Sequence, residues 1–473
     1  RWDHPPGDPR HAAEPPMRVA APLLALACSP RPEGFDAVAC RDLDATTCVE
    51  VAGGDAAALQ ETVNSLGDDT TVILGAGTFA LDNSVTLRDA TGTTLLGQGI
   101  DTTILDFAGQ TTQGNGVDVV GDAFTIADLT IQDTNKDGLR VEDSAGVTIQ
   151  RVKVTWTGGP ASTNGSYGLY PVRVSDVLME ASEAYNASDA GIYVGQCVGA
   201  VVRNNTAMAN VAGIEIENTA YADVYGNTAE DNTGGLLVFD LPGNPVIGRD
   251  IHVHDNTIRS NNRDNFAPGG TVQGIPAGTG TFLLASRRVE LDHNTYEGNR
   301  TADIAIISGL AVEGDATKWA LDTSTLRGDW QDLGLPVDGA TLTNFRTSEI
   351  LIHDNAHSGG GTDPDRADPL LRELGFLLGA VYGETRVDDI LYDSISESAF
   401  DASDAAGNSN DNHVCVHDEG TATFASLDLE TLGARAEAFD FGTVDDLYRP
   451  SAPFTPFGCD ALTGGAVVTP DAP

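Results

Sequence analysis

Residues 188–194 read SDAGIYV, residues 210–218 read NVAGIEIEN and residues 232–240 read NTGGLLVFD. Their reference glycines, Gly191, Gly213 and Gly235, are 22 residues apart. Two earlier copies, KDGLRVED and SYGLYPVRV, place Gly138 and Gly168 at wider spacings of 30 and 23 residues. Asparagines keep the same time. Asn205-Thr206 and Asn227-Thr228 each begin eight residues before the next reference glycine, and Asn210 and Asn232 stand three before it. Asn256 with Asn261, and Asn294 with Asn299, retain the five-residue offset although their coils are longer. A period near 22 that holds three short β-like stretches and no helical pattern fits one coil of a parallel β-helix. Each coil would bury its inward aliphatic side chains and stack on the next at about 4.8 Å. The asparagines would then serve the turns, tolerating left-handed backbone and hydrogen-bonding to their equivalents in the next coil.

The rest of the chain is arranged around this repeat. DAAALQETVNSL (Asp55 to Leu66) has helical spacing after an Asp N-cap and is placed to cover an open solenoid end. ILIHDN near residue 350 repeats the look of DIHVHDN, so coils extend to about Asn355. The chain divides into 1–28, a non-native leader followed by a lipoprotein signal; 29–54, a linker with two cysteines; 55–357, the coils; and 358–473, a C-terminal cap region. Insertions fall near 156–167, 262–280 and 310–340. MRVAAPLLALACSP, from Met17, resembles a bacterial lipoprotein signal with Cys28 as the lipidated residue. This places the protein outside the cytoplasm, as a periplasmic or outer-membrane lipoprotein or at the cell surface, touching the membrane only through the lipid anchor. Cys40 and Cys48 near one end and Cys415 and Cys459 near the other suit two local disulfides in such a compartment.

Composition excludes several function classes. With 70 acidic and 26 basic residues the formal net charge is −44, which repels nucleic acid and anionic membranes. There is no C-x-x-C or H-E-x-x-H spacing. DTNKDGLRVEDS (133–144) matches the start of a calcium-binding loop, but Ser144 stands where such a loop needs glutamate, and Gly138 is the reference glycine of a coil. Asp133, Asn135 and Asp137 remain weak candidates for a surface Ca2+.

LGAGTF, GQGIDTTILD and the repeated A/G-G-I-x-V/I coils resemble the right-handed parallel β-helix proteins of the pectate-lyase-like superfamily. GLYPVRV, SDAGIYVGQ, NVAGIEIEN, VFDLPGNP and PAGTG resemble, more narrowly, a group of exported bacterial parallel β-helix proteins whose activity is not settled. The resemblance spans about Ala52 to Ser308, with weaker similarity around VCVHDEG (Val414 to Gly420). It implies an all-β fold, a right-handed single-stranded parallel β-helix with an N-terminal helical cap and an irregular C-terminal cap. It implies no single reaction, because that superfamily holds polysaccharide lyases, glycoside hydrolases, uronate epimerases and non-catalytic surface proteins. A D-P-H signature associated with alginate epimerases is absent, which counts against epimerisation.

Strand alternation locates a site. If Ile192 and Val194 point inward, Tyr193 points outward. Stacking the coils gives one outer column of Arg140, Tyr170, Tyr193, Glu215 and Leu237 and an adjacent one of Glu142, Gly195, Glu217 and Phe239. Aromatic faces beside carboxylates and arginine suit a sugar chain. Tyr193, Glu215, Glu217, Arg140 and Asp189 are the catalytic candidates; Tyr170, Arg173, Glu142 and Phe239 are the substrate-binding candidates. Glu215 and Glu217 lie two residues apart on one strand, roughly 6.6 Å, near the spacing of about 6.5–9.5 Å used by inverting glycosidases. A solvated acidic face is the plainer account of the same residues. His252, His254 and His293 read as strand and turn residues. The expected partner is a polysaccharide or surface glycan bound by a monomer, either for catalysis or for binding alone.

Overall fold

The computed structural model describes residues 32–88, 91–367, 373–418 and 420–470; the leader, the signal and Cys28 lie outside them. Val198–Arg203, Thr206–Met208 and Ala212–Glu217 form one coil. Each pairs in parallel with its counterpart 22 residues on: Val198 with Ala220, Thr206 with Thr228, Ala212 with Gly234. A 20-stranded and an 11-stranded parallel sheet result. The larger bends into two faces, because Ala145–Thr155 pairs with both Ser175–Glu180 and Glu183–Tyr185. Three walls therefore enclose one core. Inside, Val202, Ala207, Ile214 and Ile216 of one coil lie on Val224, Ala229, Leu236 and Val238 of the next, and all are buried. Each large aliphatic side chain among them stabilises the stack by about 1.5–3 kcal/mol relative to exposure.

Both ends extend beyond the expected 55–357. Thr47–Val51 already pairs with Thr70–Leu74. Val414–Val416 pairs with Ile350–Ile352, and Phe424–Ser426 with Ile390–Tyr392. These strands are only three to five residues long and separated by irregular chain, so they carry no periodicity of their own. Helix α1 (Ala56–Asn64) branches from the first coil, with the Asp55 side chain accepting from Ala58 N at 3.0 Å and Leu59 and Val63 buried. At the far end Phe454 and Phe457 close the core against Phe424 and Tyr392. Helices α2 (Glu373–Tyr382) and α3 (Leu429–Glu437) pack their apolar residues on Leu391 and Ala425 of the 11-stranded sheet. Disulfides join Cys40 to Cys48 and Cys415 to Cys459.

Two buried asparagine ladders run along the turns. Asn205, Asn227, Asn256 and Asn294 each donate from Nδ2 to the next Oδ1 at 2.9–3.0 Å, and Asn355 donates to Asp418. Asn210, Asn232 and Asn261 do the same at 3.0–3.2 Å, and Asn299 donates to Asp303. His357 joins both ends, with Nδ1 3.1 Å from Asp303 and Nε2 3.1 Å from Asp418. The left-handed residue in each first-ladder turn is the one before the ladder asparagine, for example Asn204, Gly226, Asp255 and His293. The ladder asparagines are selected for hydrogen bonding and not for backbone conformation, which revises half of the sequence argument.

Candidate functional site

The 11-stranded sheet holds the two expected columns in register. Tyr170 pairs with Arg140, Tyr193 with Glu215, and Glu215 with Leu237. Gly195 pairs with Glu217, and Glu217 with Phe239. Val172 fills the position between Glu142 and Gly195 in the second column.

This face is not a solvated acidic surface. Tyr193 is 3%, Glu215 1% and Glu217 7% exposed. The insertion at 262–280 folds over them, bringing Ala267, Val272 and Ile275 into an apolar cluster with Tyr193, Leu237, Phe239 and Phe282. Gly270 is close enough that a β-carbon there would meet Asp189 Oδ2 at 3.9 Å. Trp319 and Phe345, from the 310–340 insertion and just beyond it, extend the cover. Phe239, expected to contact substrate, is packed under this roof, because the insertion needs an apolar surface to fold against. Strand alternation could identify outward residues but not whether a distant loop would cover them.

Beneath the roof lies a cluster of tyrosines and acids. Tyr167, Tyr170 and Tyr193 have ring centroids 4.5, 4.7 and 4.9 Å apart. Tyr167 ends the 156–167 insertion and was missed as a site residue; its signal was its place in Y-G-L-Y beside Tyr170. The Tyr193 ring lies along the strand over Gly195, where a β-carbon would be 2.1 Å from the ring. Glycine at this position lets the phenol hydroxyl reach Glu217 on the next coil. Tyr167 hydrogen-bonds Asp189 in the same way. Asn244 Nδ2 donates to Glu217 Oε1 at 2.9 Å.

Glu215, between these two tyrosine–carboxylate pairs, has a buried Oε1 without a hydrogen-bond partner. Burial, followed by the charges of Asp189 and Glu217, pushes its pKa well above the usual carboxylate range. Burial likewise raises Asp189, against its bond to Tyr167. Burial raises Glu217 to about 7, with Tyr193 opposing and Asp189 and Asp240 adding to the rise. A deeply buried acid raised well above the usual carboxylate range, beside one that titrates near neutrality, is an arrangement for proton transfer.

The two arginines stand at the rim and are already paired. Arg140 lies 3.0 Å from Asp118 and 2.6 Å from Glu142, and Arg173 bonds Asp143 at 2.7 Å as well as Glu142. Their side chains therefore face carboxylates of their own and the neighbouring coils. The residues considered for calcium have separate tasks in the turn. Asp133 accepts from Thr157, Asn135 Nδ2 donates to the Gln110 and Thr112 carbonyls, and buried Asp137 takes the Tyr167 N–H at 3.4 Å. A separate groove of about 680 Å³ opens on the far side of the roof, between Ile275, Phe282 and Ile307 and helices α2 and α3, with Glu373, Glu430 and Glu437 among its lining residues. It lacks the tyrosine–acid cluster, which lies two strands along the sheet, since Phe282 pairs with Leu237 and Leu237 with Glu215.

Residues 137–318 match the family described as "Right handed beta helix region". No curated protein matches the sequence. Among solved structures, the Azotobacter vinelandii mannuronan C-5 epimerase AlgE4 A-module aligns at 16% identity over 74% of this chain and 93% of its own, with a TM-score of 0.41. The alginate lyase from Paenibacillus sp. str. FPU-7 aligns at 16% identity over 56% of this chain and 91% of its own, with a TM-score of 0.42. The Pseudomonas phage phi297 tailspike gp61 aligns at 12% identity over 54% of this chain and 59% of its own, with a TM-score of 0.37.

Proposed function

We propose that this right-handed parallel β-helix of the pectate-lyase-like superfamily acts on a polysaccharide, with the Tyr167–Tyr193–Glu215–Glu217–Asp189 cluster as its active centre. The observation that carries the reading is the buried Glu215 Oε1, which has no hydrogen-bond partner, since leaving such an atom unsatisfied costs about 1–3 kcal/mol unless a ligand uses it. In a hydrolysis, protonated Glu215 gives its proton to the glycosidic oxygen as the bond to the anomeric carbon breaks. Water adds to that carbon and passes a proton to the Glu217 carboxylate, which Tyr193 and Asn244 hold in place. The tyrosine faces would stack on sugar rings. Because Arg140 and Arg173 are committed to Asp118, Glu142 and Asp143, the geometry supports a glycan of low charge over a uronan, which would bring further negative charge to three acids.

The depth of the cluster favours a second reading, a solenoid that binds glycans without turnover, since the roof closes over Tyr193 and Glu215 in this conformation. Incubation with neutral and uronate-containing polysaccharides, reading reducing ends and unsaturated uronate, separates the two. The enzyme reading expects new reducing ends without unsaturation, lost in Glu215→Gln. Binding without turnover of any polymer would leave the second reading, and full activity in Glu215→Gln with Tyr193→Phe would move the centre elsewhere.

A further inference from the structure

A second cluster lies on the outer surface of the 20-stranded sheet, away from the tyrosines and acids. Four of the chain's nine histidines gather here: His252, His254, His293 and His353. His252 and His254 are two apart on the strand Arg249–His254, so both point outward, and Asp223 is paired with His252 from the preceding coil. Their rings stack with centroids 4.1 Å apart. Asp223 Oδ1 lies 3.0 Å from His254 Nε2 and 3.9 Å from His252 Nδ1. Two ligand atoms on one tetrahedral ion are separated by about 3.4 Å when each bond is about 2.1 Å long. The observed pair brackets that edge. The three side chains are 20–24% exposed, which leaves a path for an ion from solvent.

The far side of each imidazole completes the pattern. His252 Nε2 is 2.5 Å from Asp292 Oδ1, and His254 Nδ1 is 2.8 Å from Asp255 Oδ2. Each ring thus turns one nitrogen toward the common point beside Asp223 and has the other held by a carboxylate. That is how metal-binding histidines are oriented and made more basic. A ladder of simple surface ion pairs has no need for two rings to converge on one carboxylate while separate carboxylates hold their outer nitrogens.

We propose that Asp223, His252 Nδ1 and His254 Nε2 bind a divalent transition ion of the zinc class, with Asp292 and Asp255 orienting the two histidines. Two nitrogens and one carboxylate oxygen suit Zn2+, Co2+ or Ni2+ better than Ca2+ or Mg2+, which take oxygen ligands. Two other groupings of donors occur among the described residues: His252 with Glu290 and Asp292 offers a single nitrogen beside two carboxylates, and the two sulfurs of His413 with Cys415 and Cys459 form a disulfide.

The test is equilibrium dialysis of the full chain with Zn2+, together with the visible absorption of the Co2+ form. One ion per chain is expected at this site, with Co2+ bands of a low-coordinate nitrogen-ligated centre and no comparable uptake of Ca2+. Asp223→Asn and the double substitution His252→Gln with His254→Gln should each lower affinity at least tenfold, and Asp292→Asn, which touches no ion, about 10–100-fold. His413→Gln should leave binding unchanged. Zn2+ uptake unaltered by the double substitution, no uptake by the wild-type chain, or equal affinity for Ca2+ would each overturn the assignment. Because the substituted side chains lie on the outer face, circular dichroism of each variant separates lost ligands from lost fold, and the wild-type Co2+ spectrum stands independently of any variant.

Discussion

Replacing Asn227 by alanine tests whether the asparagine ladders hold the coils together. The Asn227 side chain makes four hydrogen bonds while 1% exposed. Its Nδ2 donates to Val202 O and Asn256 Oδ1, both at 2.9 Å, and its Oδ1 accepts from Asn205 N at 2.9 Å and Asn205 Nδ2 at 3.0 Å. Truncation leaves the Asn205 N–H buried without that acceptor, about 1–3 kcal/mol, and weakens bonds worth about 0.5–1.5 kcal/mol each. The expected loss is about 3 kcal/mol. Asn227→Asp, which keeps the acceptor but sets a second oxygen against the Val202 carbonyl and Asn256 Oδ1, should be no less damaging. Urea unfolding followed by circular dichroism gives the change as a shift in midpoint at constant slope. A loss below about 1 kcal/mol for alanine, or a stabilised Asp variant, would refute the view that these bonds determine turn identity.

The remaining predictions concern the site and the two ends. Gly195→Ala would place a β-carbon inside the Tyr193 ring; turnover on any polymer found to be cleaved should fall at least tenfold, with the circular dichroism spectrum retained. Turnover should rise between pH 6 and 8, because Glu217 titrates near 7 and must be ionised to accept a proton, while burial and the charges of Asp189 and Glu217 raise Glu215 well above the usual carboxylate range; a flat profile would remove Glu217 from that role. Burial lowers the His357 pKa, but its bonds to Asp303 and Asp418 outweigh this and hold it at about 9, above the model-compound value of 6.5. A raised cationic group contributes fully below its unfolded pKa and loses its contribution as pH rises through the folded one, so thermal stability should fall between pH 7 and 10. His357→Gln should flatten that decline. Burial raises Asp303 as well, against its bonds to His357 and Asn299. Cys415→Ser with Cys459→Ser opens a link across 44 residues and should cost about 4 kcal/mol, seen as faster amide exchange at Val414–Val416.

The middle coils were legible because they repeat the same demand: inward aliphatic side chains, a small residue at the turn, an asparagine to bond its neighbour. Gly191, Gly213 and Gly235 mark one corner, and Asn205, Asn227 and Asn256 another, so the register of the tyrosine and glutamate columns followed from counting. The end strands at Thr47–Val51 and Phe424–Ser426 were not legible, since each borrows its place from one neighbour and repeats nothing.

The burial of the site was hidden for a different reason. Period-two alternation states which side of a sheet a residue occupies; it does not state what lies on that side. Glu215 and Tyr193 read as surface residues until the 262–280 insertion, 47 to 87 residues away along the chain, is seen packing Val272 and Ile275 over them. That packing changes the chemistry as well as the exposure. An E-x-E strand in water offers two ordinary carboxylates, whereas the same pair under an apolar roof becomes one acid raised well above the usual range and one that titrates near 7. His252 and His254 show the converse. Read together with His293 as strand and turn residues, both lie on a strand, but only the register with Asp223, and the carboxylates of Asp292 and Asp255 behind the rings, turn two outward histidines into a converging pair.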